Sequence, residues 1–328
     1  MGVGSSFGDD ALAYFTERLD PAPLRRAIAK ALRRTKRNKA FDGSHLIGFA
    51  IDGTGTARCS KEKCPLCHPI LDKEHKVIGY NHHFSLISVV GVGLSLPFDV
   101  EPYGPGDSEY AASQRLLRRA VENLGPRFAD YVVVDGEYAT APFLHTAGEM
   151  GLFSIARLKG NLPELSAAAE RRFRRIPPSR TLRWEKERVE IWDADDFDPW
   201  DALQWESVRA IRYRQHKPDD TVVEADWLTD IPKGKVGCPS LYRLAKSRWE
   251  IENQGFNDGK NRYGMEHIAH HEQNSLQVQW LLTLLAIVIE RLYRERYLKR
   301  GTHSALTPIQ FLRLLRLSLG LAATNNTS

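Results

Sequence analysis

Cysteine is scarce in this chain: four residues in 328, three of them crowded at Cys59, Cys64 and Cys67 and the fourth far away at Cys238. That count and spacing exclude a disulfide-built scaffold and, in a reducing compartment, suggest metal binding instead. The N-terminus lacks an apolar signal segment, and the apolar run over residues 280–289 is too short to span a bilayer, so a soluble, cytoplasmic protein is expected. Internal repeats and low-complexity segments are absent as well. The charge excess is small: a net charge of +5 and a pI near 8.9 permit an anionic partner without demanding one. Two metal motifs fail outright. His271-Glu272 meets Ser275 where a zinc protease needs its second His, and the acidic run from Asp193 to Asp198 lacks the central Gly and terminal Glu of a calcium loop. The acidic run reads as a solvated turn.

What is present is enough sequence for a substantial core, as one large domain with an insertion or two modest domains. Asp20-Pro21 is a helix start, and Leu24, Ile28, Ala31 and Leu32 then recur at helical spacing. Opposite them stand Arg25, Arg26, Lys30, Arg33, Arg34, Lys36, Arg37 and Lys39. This basic amphipathic helix suits either DNA backbone or a wet face on a helix packed against a core. A strand ending at Asp52 follows, then the Cys-rich stretch, then a strand or strand pair over 84–96. The apolar spacing predicts helices over 108–124, 142–150 and 163–175, interleaved with strands over 131–134 and 152–158. Pro177-Pro178 breaks that pattern, and short strands are expected at 188–192, 208–214 and 222–228. A helix from about residue 240 and an apolar helix over 276–294 close the series.

The chemistry sits in three short motifs. Ile51-Asp52-Gly53-Thr54-Gly55 and Val134-Asp135-Gly136-Glu137-Tyr138 each place an Asp at an expected strand end. Arg248-Trp249-Glu250-Ile251-Glu252-Asn253, with Lys260 downstream, places two cations and a carboxylate within a sector of about 120° of an ideal helix. One carboxylate there can hold a metal while the two cations hold phosphate. Each motif alone is weak: Asp-Gly after a strand is an ordinary turn, and Glu252 with Arg248 is an ordinary helix pair.

In that order the motifs resemble the DDE transposases of bacterial insertion sequences, in the group with a Tyr-Arg-Glu-Lys signature around the final Glu, from about residue 42 to about residue 300. The signature's Tyr position is Ala245 here, with Tyr242 the nearest substitute, and Lys260 lies one residue farther from Glu252 than is usual. The resemblance implies an α/β fold, a ribonuclease-H-like mixed sheet flanked by helices, with a β-rich insertion between the second Asp and the Glu. The expected divisions are a basic helical segment (1–41), the first part of the catalytic core (42–176, with a Cys-rich insert at 58–83), the β insertion (177–239), the catalytic and buttressing helices (240–300) and a helical tail (301–328). It further implies Asp52, Asp135 and Glu252 as ligands of Mg2+ or Mn2+, with Arg248, Lys260 and Tyr138 on phosphate or DNA. The partners implied are double-stranded DNA, as transposon ends and target, and a second copy of the chain in a dimer.

Two alternatives accompany that reading: a ribonuclease-H-like nuclease without strand transfer, and a non-enzymatic DNA-binding remnant, since the first motif begins only about 45 residues in. Separately, Cys59, Cys64 and Cys67 offer three thiolates for a structural zinc. His68, His75, His82 and His83 follow closely, and His75 is taken as the fourth ligand. Free thiols are the competing reading.

Overall fold

The chain enters through α1 (Asp9–Arg18) and restarts at α2 (Pro21–Arg37), where the Asp20 carboxylate accepts from the Ala22 N–H and Pro21 opens the first turn. Ile28, Ala29 and Leu32 are buried on one face of α2, and Arg26, Lys30, Arg33, Arg34 and Arg37 are exposed on the other. Two of its cations turn inward: Arg25 pairs with Asp99 at 2.8 Å, and Lys36 donates to the carbonyls of Arg127 and Phe128. The computed structural model describes residues 9–41, 46–184, 187–267, 270–298 and 306–318. The expected boundary at residue 42 and the tail outside 306–318 lie outside the described residues.

Next come β1 (Gly48–Cys59), β2 (Cys67–Leu71), β3 (Val77–Val90), β4 (Leu96–Tyr103), α3 (Glu109–Leu124), β5 (Tyr131–Val134), α4 (Ala141–Glu149), β6 (Phe153–Leu158) and α5 (Pro163–Phe173). The second half holds β7 (Arg180–Trp184), β8 (Glu187–Phe197), β9 (Val208–His216) and β10 (Val222–Thr229), then α6 (Cys238–Lys246) and α7 (Arg248–Glu250). A π-helical segment (Ile251–Phe256), α8 (Asn257–Tyr263), α9 (Gln273–Tyr293) and α10 (Pro308–Ser318) complete the described chain. Among the described residues, all ten strands belong to one mixed sheet, in the order β2-β3-β1-β5-β6-β10-β9-β8-β7, with β4 also on β3. Pairing is antiparallel among β1, β3 and β4, parallel from β1 through β5 to β6, and antiparallel from β6 onward.

From Phe84 to Val90 both faces of β3 are buried, which explains the mainly apolar run there. Ser85 faces α3 and accepts from Ser113, whereas Phe84 faces α9, its ring 4.6 Å from Trp280. The helix running from Gln273 to Tyr297 is long and apolar enough to cross a membrane by length and composition, but 56 % of its apolar window is buried in this fold.

Three local expectations change. The strand bearing Asp52 does not end there but runs on to Cys59, since its pairing with β3 continues past that point. The segment after Pro177-Pro178 begins with an additional strand, β7. The acidic run expected as a solvated turn lies largely in β8, and the Asp193 side chain, 5 % exposed, binds Arg209 bidentately at 2.8 and 2.6 Å.

Asp230, just past β10, accepts from the Ser154 N–H at 2.8 Å, and burial raises its pKa to about 6. An acid whose folded pKa lies above its unfolded value contributes stability at low pH that is lost as pH rises through the window from about 4 to 6. Asp230→Asn keeps the acceptor and removes the charge. Urea unfolding should therefore find the variant more stable than wild type by about 3 kcal/mol at pH 7 and by only about half a kcal/mol at pH 4.

Candidate active site

The parallel register of β1 and β5 builds the site. Ala50 is level with Val133, so two residues further on Asp52 and Asp135 emerge side by side. Asp52 lies opposite Leu86 on β3, and Leu86 packs against Gly255, so Asp52 faces the helical segment that carries Glu252. Arg248 joins them: one guanidinium nitrogen lies 3.3 Å from Asp52 Oδ2 and another 2.5 Å from Glu252 Oε1. Asp135 has its own cation, Lys159, at 2.6 Å.

Burial raises the Asp52 pKa to about 6, Glu109 and Glu252 add to the rise, and Arg248 and the Gly53 N–H oppose it. At Asp135 burial also pushes upward, but Lys159, the Gly136 N–H and Arg248 outweigh it and hold the carboxyl below its ordinary value. These carboxylates are not gathered as tightly as a ligand set: among the described residues, the group whose ligand atoms lie within 4.8 Å of one another is Cys64, Cys67 and His82.

The helix expected to carry Arg248, Glu252 and Lys260 in one ideal phase is interrupted. Residues Ile251–Phe256 form a π-helix, whose wider turn changes the phase of everything after it. Side chains from this stretch secure the β3–β4 turn: Glu250 accepts from the Gly91 N–H at 3.2 Å and Gln254 from the Ser95 N–H at 2.9 Å. Arg291 of α9 donates to the Gln254 carbonyl and to Asp258, anchoring the π turn from behind. Trp249 is a packing residue, partly buried against Trp227 with ring centroids 5.9 Å apart.

The accessory residues are placed differently from expectation. Arg248 is 9 % exposed and engaged by two carboxylates. Lys260 donates to Thr54 Oγ1 and the Gly55 carbonyl, each at 2.8 Å, so it grips β1 just beyond Asp52. Tyr138, expected on DNA, is 2 % exposed, with its hydroxyl donating to Glu109 at 2.6 Å and lying 3.0 Å from Ser113. Its aromatic ring belongs in the core. His75 is also misplaced as a zinc ligand: it is exposed at a turn with φ 61°, while His82 sits between Cys64 and Cys67.

Two residues near the site carry no sequence signal. Glu109 reads only as an acid in the first turn of α3, yet its carboxylate accepts from Tyr103 and Tyr138 and fills the space beside Gly53, where a β-carbon would lie 2.0 Å from it. Lys159 follows an ordinary strand and meets Asp135 through the β5–β6 pairing.

The protein is thus a mixed α/β fold in which Arg248 bridges Asp52 of β1 and Glu252 of the π turn, with Asp135 at the end of the parallel neighbour β5. The profile described as Transposase DDE domain matches residues 44–289, three quarters of the chain, and the protein belongs to that family. A cryo-EM structure of a piggyBac transposase synaptic complex with hairpin DNA is similar to it, with a TM-score of 0.45 and 12 % identity, covering 83 % of this chain. The chain spans about half, 52 %, of the length of that transposase. No curated protein matches the sequence significantly.

Proposed function

We propose that this protein is an insertion-sequence transposase that nicks DNA at element ends with water and joins the freed 3′ hydroxyl to target DNA. The observation that carries the reading is the β1–β5 register, which sets Asp52 beside Asp135, together with the Arg248 bridge from Asp52 to Glu252. A ribonuclease-H-like core is supported by the strand order β4-β3-β1-β5-β6, three strands antiparallel and the last two parallel to β1. Strands β7–β10 are then the insertion between the second Asp and the Glu, extending the core sheet from β6.

The donors at Asp52, Asp135 and Glu252 are hard carboxylate oxygens, a set that suits Mg2+ or Mn2+. A divalent ion bound there supplies a more acidic water and neutralises charge on the leaving 3′ oxygen. β1 and β5 fix the two Asp carboxylates, and the π turn carries Glu252 toward them. Arg248 offsets repulsion between Asp52 and Glu252, a positioning role in addition to any contact with phosphate. Lys260 holds β1 and leaves a cation beside the site for the DNA backbone. The exposed cations of α2 suit the same backbone, and paired ends call for a dimer.

The test is a supercoiled plasmid carrying the element's ends, incubated with protein and Mg2+ beside an Asp135→Ala control. Metal-dependent 3′-OH nicks and joined products, both lost in the control, are expected. Nicking without joining would favour the nuclease, and end binding without nicking the remnant.

A further inference from the structure

The Cys-rich insert is largely exposed but turns two of its cysteines inward. Cys64 and Cys67 close a turn in which the Cys67 N–H donates to the Cys64 carbonyl, and Cys67 then stands directly across from His82 in the β2–β3 pairing. Cys64, Cys67 and His82 are 8 %, 2 % and 0 % exposed. The two sulfurs are 3.8 Å apart, and His82 Nε2 lies 3.2 Å from Cys64 Sγ and 3.4 Å from Cys67 Sγ. Tetrahedral zinc, with Zn–S of about 2.3 Å and Zn–N of about 2.0 Å, requires sulfur–sulfur edges of about 3.8 Å and sulfur–nitrogen edges of about 3.5 Å. The observed triangle has that size before any ion is added.

A backbone amide is also aimed at one sulfur. The Lys63 N–H donates to Cys67 Sγ at 3.5 Å. Cys59 lies next to this group: it pairs with Tyr80, two residues before His82 on β3 and therefore on the same face, with its sulfur outside the set of ligand atoms within 4.8 Å of one another.

We propose that Cys59, Cys64, Cys67 and His82 bind one structural zinc ion that clamps the distal end of the β1–β2–β3 hairpin. The ligands come from the end of β1, the following turn, the start of β2 and the middle of β3, so the ion ties together three strands through a loop with little core of its own. Thr54 and Gly55, which Lys260 grips, lie on β1 between Asp52 and this clamp. The metal thus sets the register of the strand that carries the first Asp, and it does so whether or not the acidic residues are catalytic. A closed thiolate-rich site leaves no open position, so this ion takes no part in the reaction.

The experiment is metal analysis of the full chain purified without added chelator, followed by exchange with Co2+ and visible absorption spectroscopy. One zinc per chain and the intense bands of tetrahedral thiolate-bound cobalt are expected. Cys59→Ser should cut the thiolate-to-cobalt charge-transfer intensity by about one third, from three thiolates to two, while Cys238→Ser, His75→Ala and Asp52→Asn leave it unchanged. His82→Ala should shift the cobalt bands and weaken zinc retention. A folded wild-type chain with no stoichiometric zinc and no cobalt bands would overturn the site. An unchanged spectrum in Cys59→Ser, or a lost one in His75→Ala, would overturn the ligand assignment. Wild-type metal content decides the first question even if a variant fails to fold, and neither readout depends on transposition.

Discussion

Glu252→Gln should lower DNA nicking and joining by about a thousandfold or more, equivalent to about 4 kcal/mol of barrier, with the fold intact. The substitution keeps the size and shape of the side chain and an acceptor for Arg248, but removes the negative charge that a divalent ion needs. Stability should barely change. The Glu252 carboxylate is 39 % exposed and its bond to Arg248 is an i,i+4 pair, a class worth about half a kcal/mol or less. The measurement is the initial nicking rate under saturating Mg2+, with thermal melting as the control. Nicking within tenfold of wild type would dismiss Glu252 as the third carboxylate and direct attention to Glu109, which already raises the Asp52 pKa.

The second large effect is on stability. Arg209→Leu should lower the free energy of unfolding by about 3–5 kcal/mol, because it strands a buried carboxylate. Arg209 and Asp193 are 3 % and 5 % exposed, their side chains form a bidentate pair, and Arg209 also donates to the carbonyls of Ile231 and Val236 at 3.0 and 2.9 Å. A double variant, Arg209→Leu with Asp193→Leu, should recover most of the loss. It should not recover all of it, since the two carbonyls still lack their donor. Urea unfolding midpoints of the two single variants and the double variant give the coupling directly. A double variant no more stable than Arg209→Leu would show that the carboxylate is not what makes the single change costly.

How legible the protein was in its sequence differs from element to element. The strand Tyr131–Val134 and the helix Glu109–Leu124 were readable because each satisfies a local rule: a wholly apolar buried strand, and a helix with apolar residues at helical spacing. The acidic residues were readable too, as types and in order. The roles around them were not. Tyr138 follows Asp135 closely and looked available to DNA, yet the turn after β5 points its ring into the core. Asp193 looked like part of a wet turn until Arg209, on the neighbouring strand, reached it.

By itself, then, the sequence determined the local propensities: where helices and strands form, which faces are apolar, that three cysteines cluster, and that two Asp-Gly pairs and a Glu occur in that order. These depend on neighbours a few residues away. Only the tertiary structure decided that Asp52 and Asp135 emerge together, that Arg248 serves two carboxylates, and that His82 rather than His75 joins the cysteines. Each of those rests on strand register or on helix phase. A shift of one residue in a strand reverses the face of every side chain, and a π turn rotates all that follows it, so neither could be read from spacing along the chain.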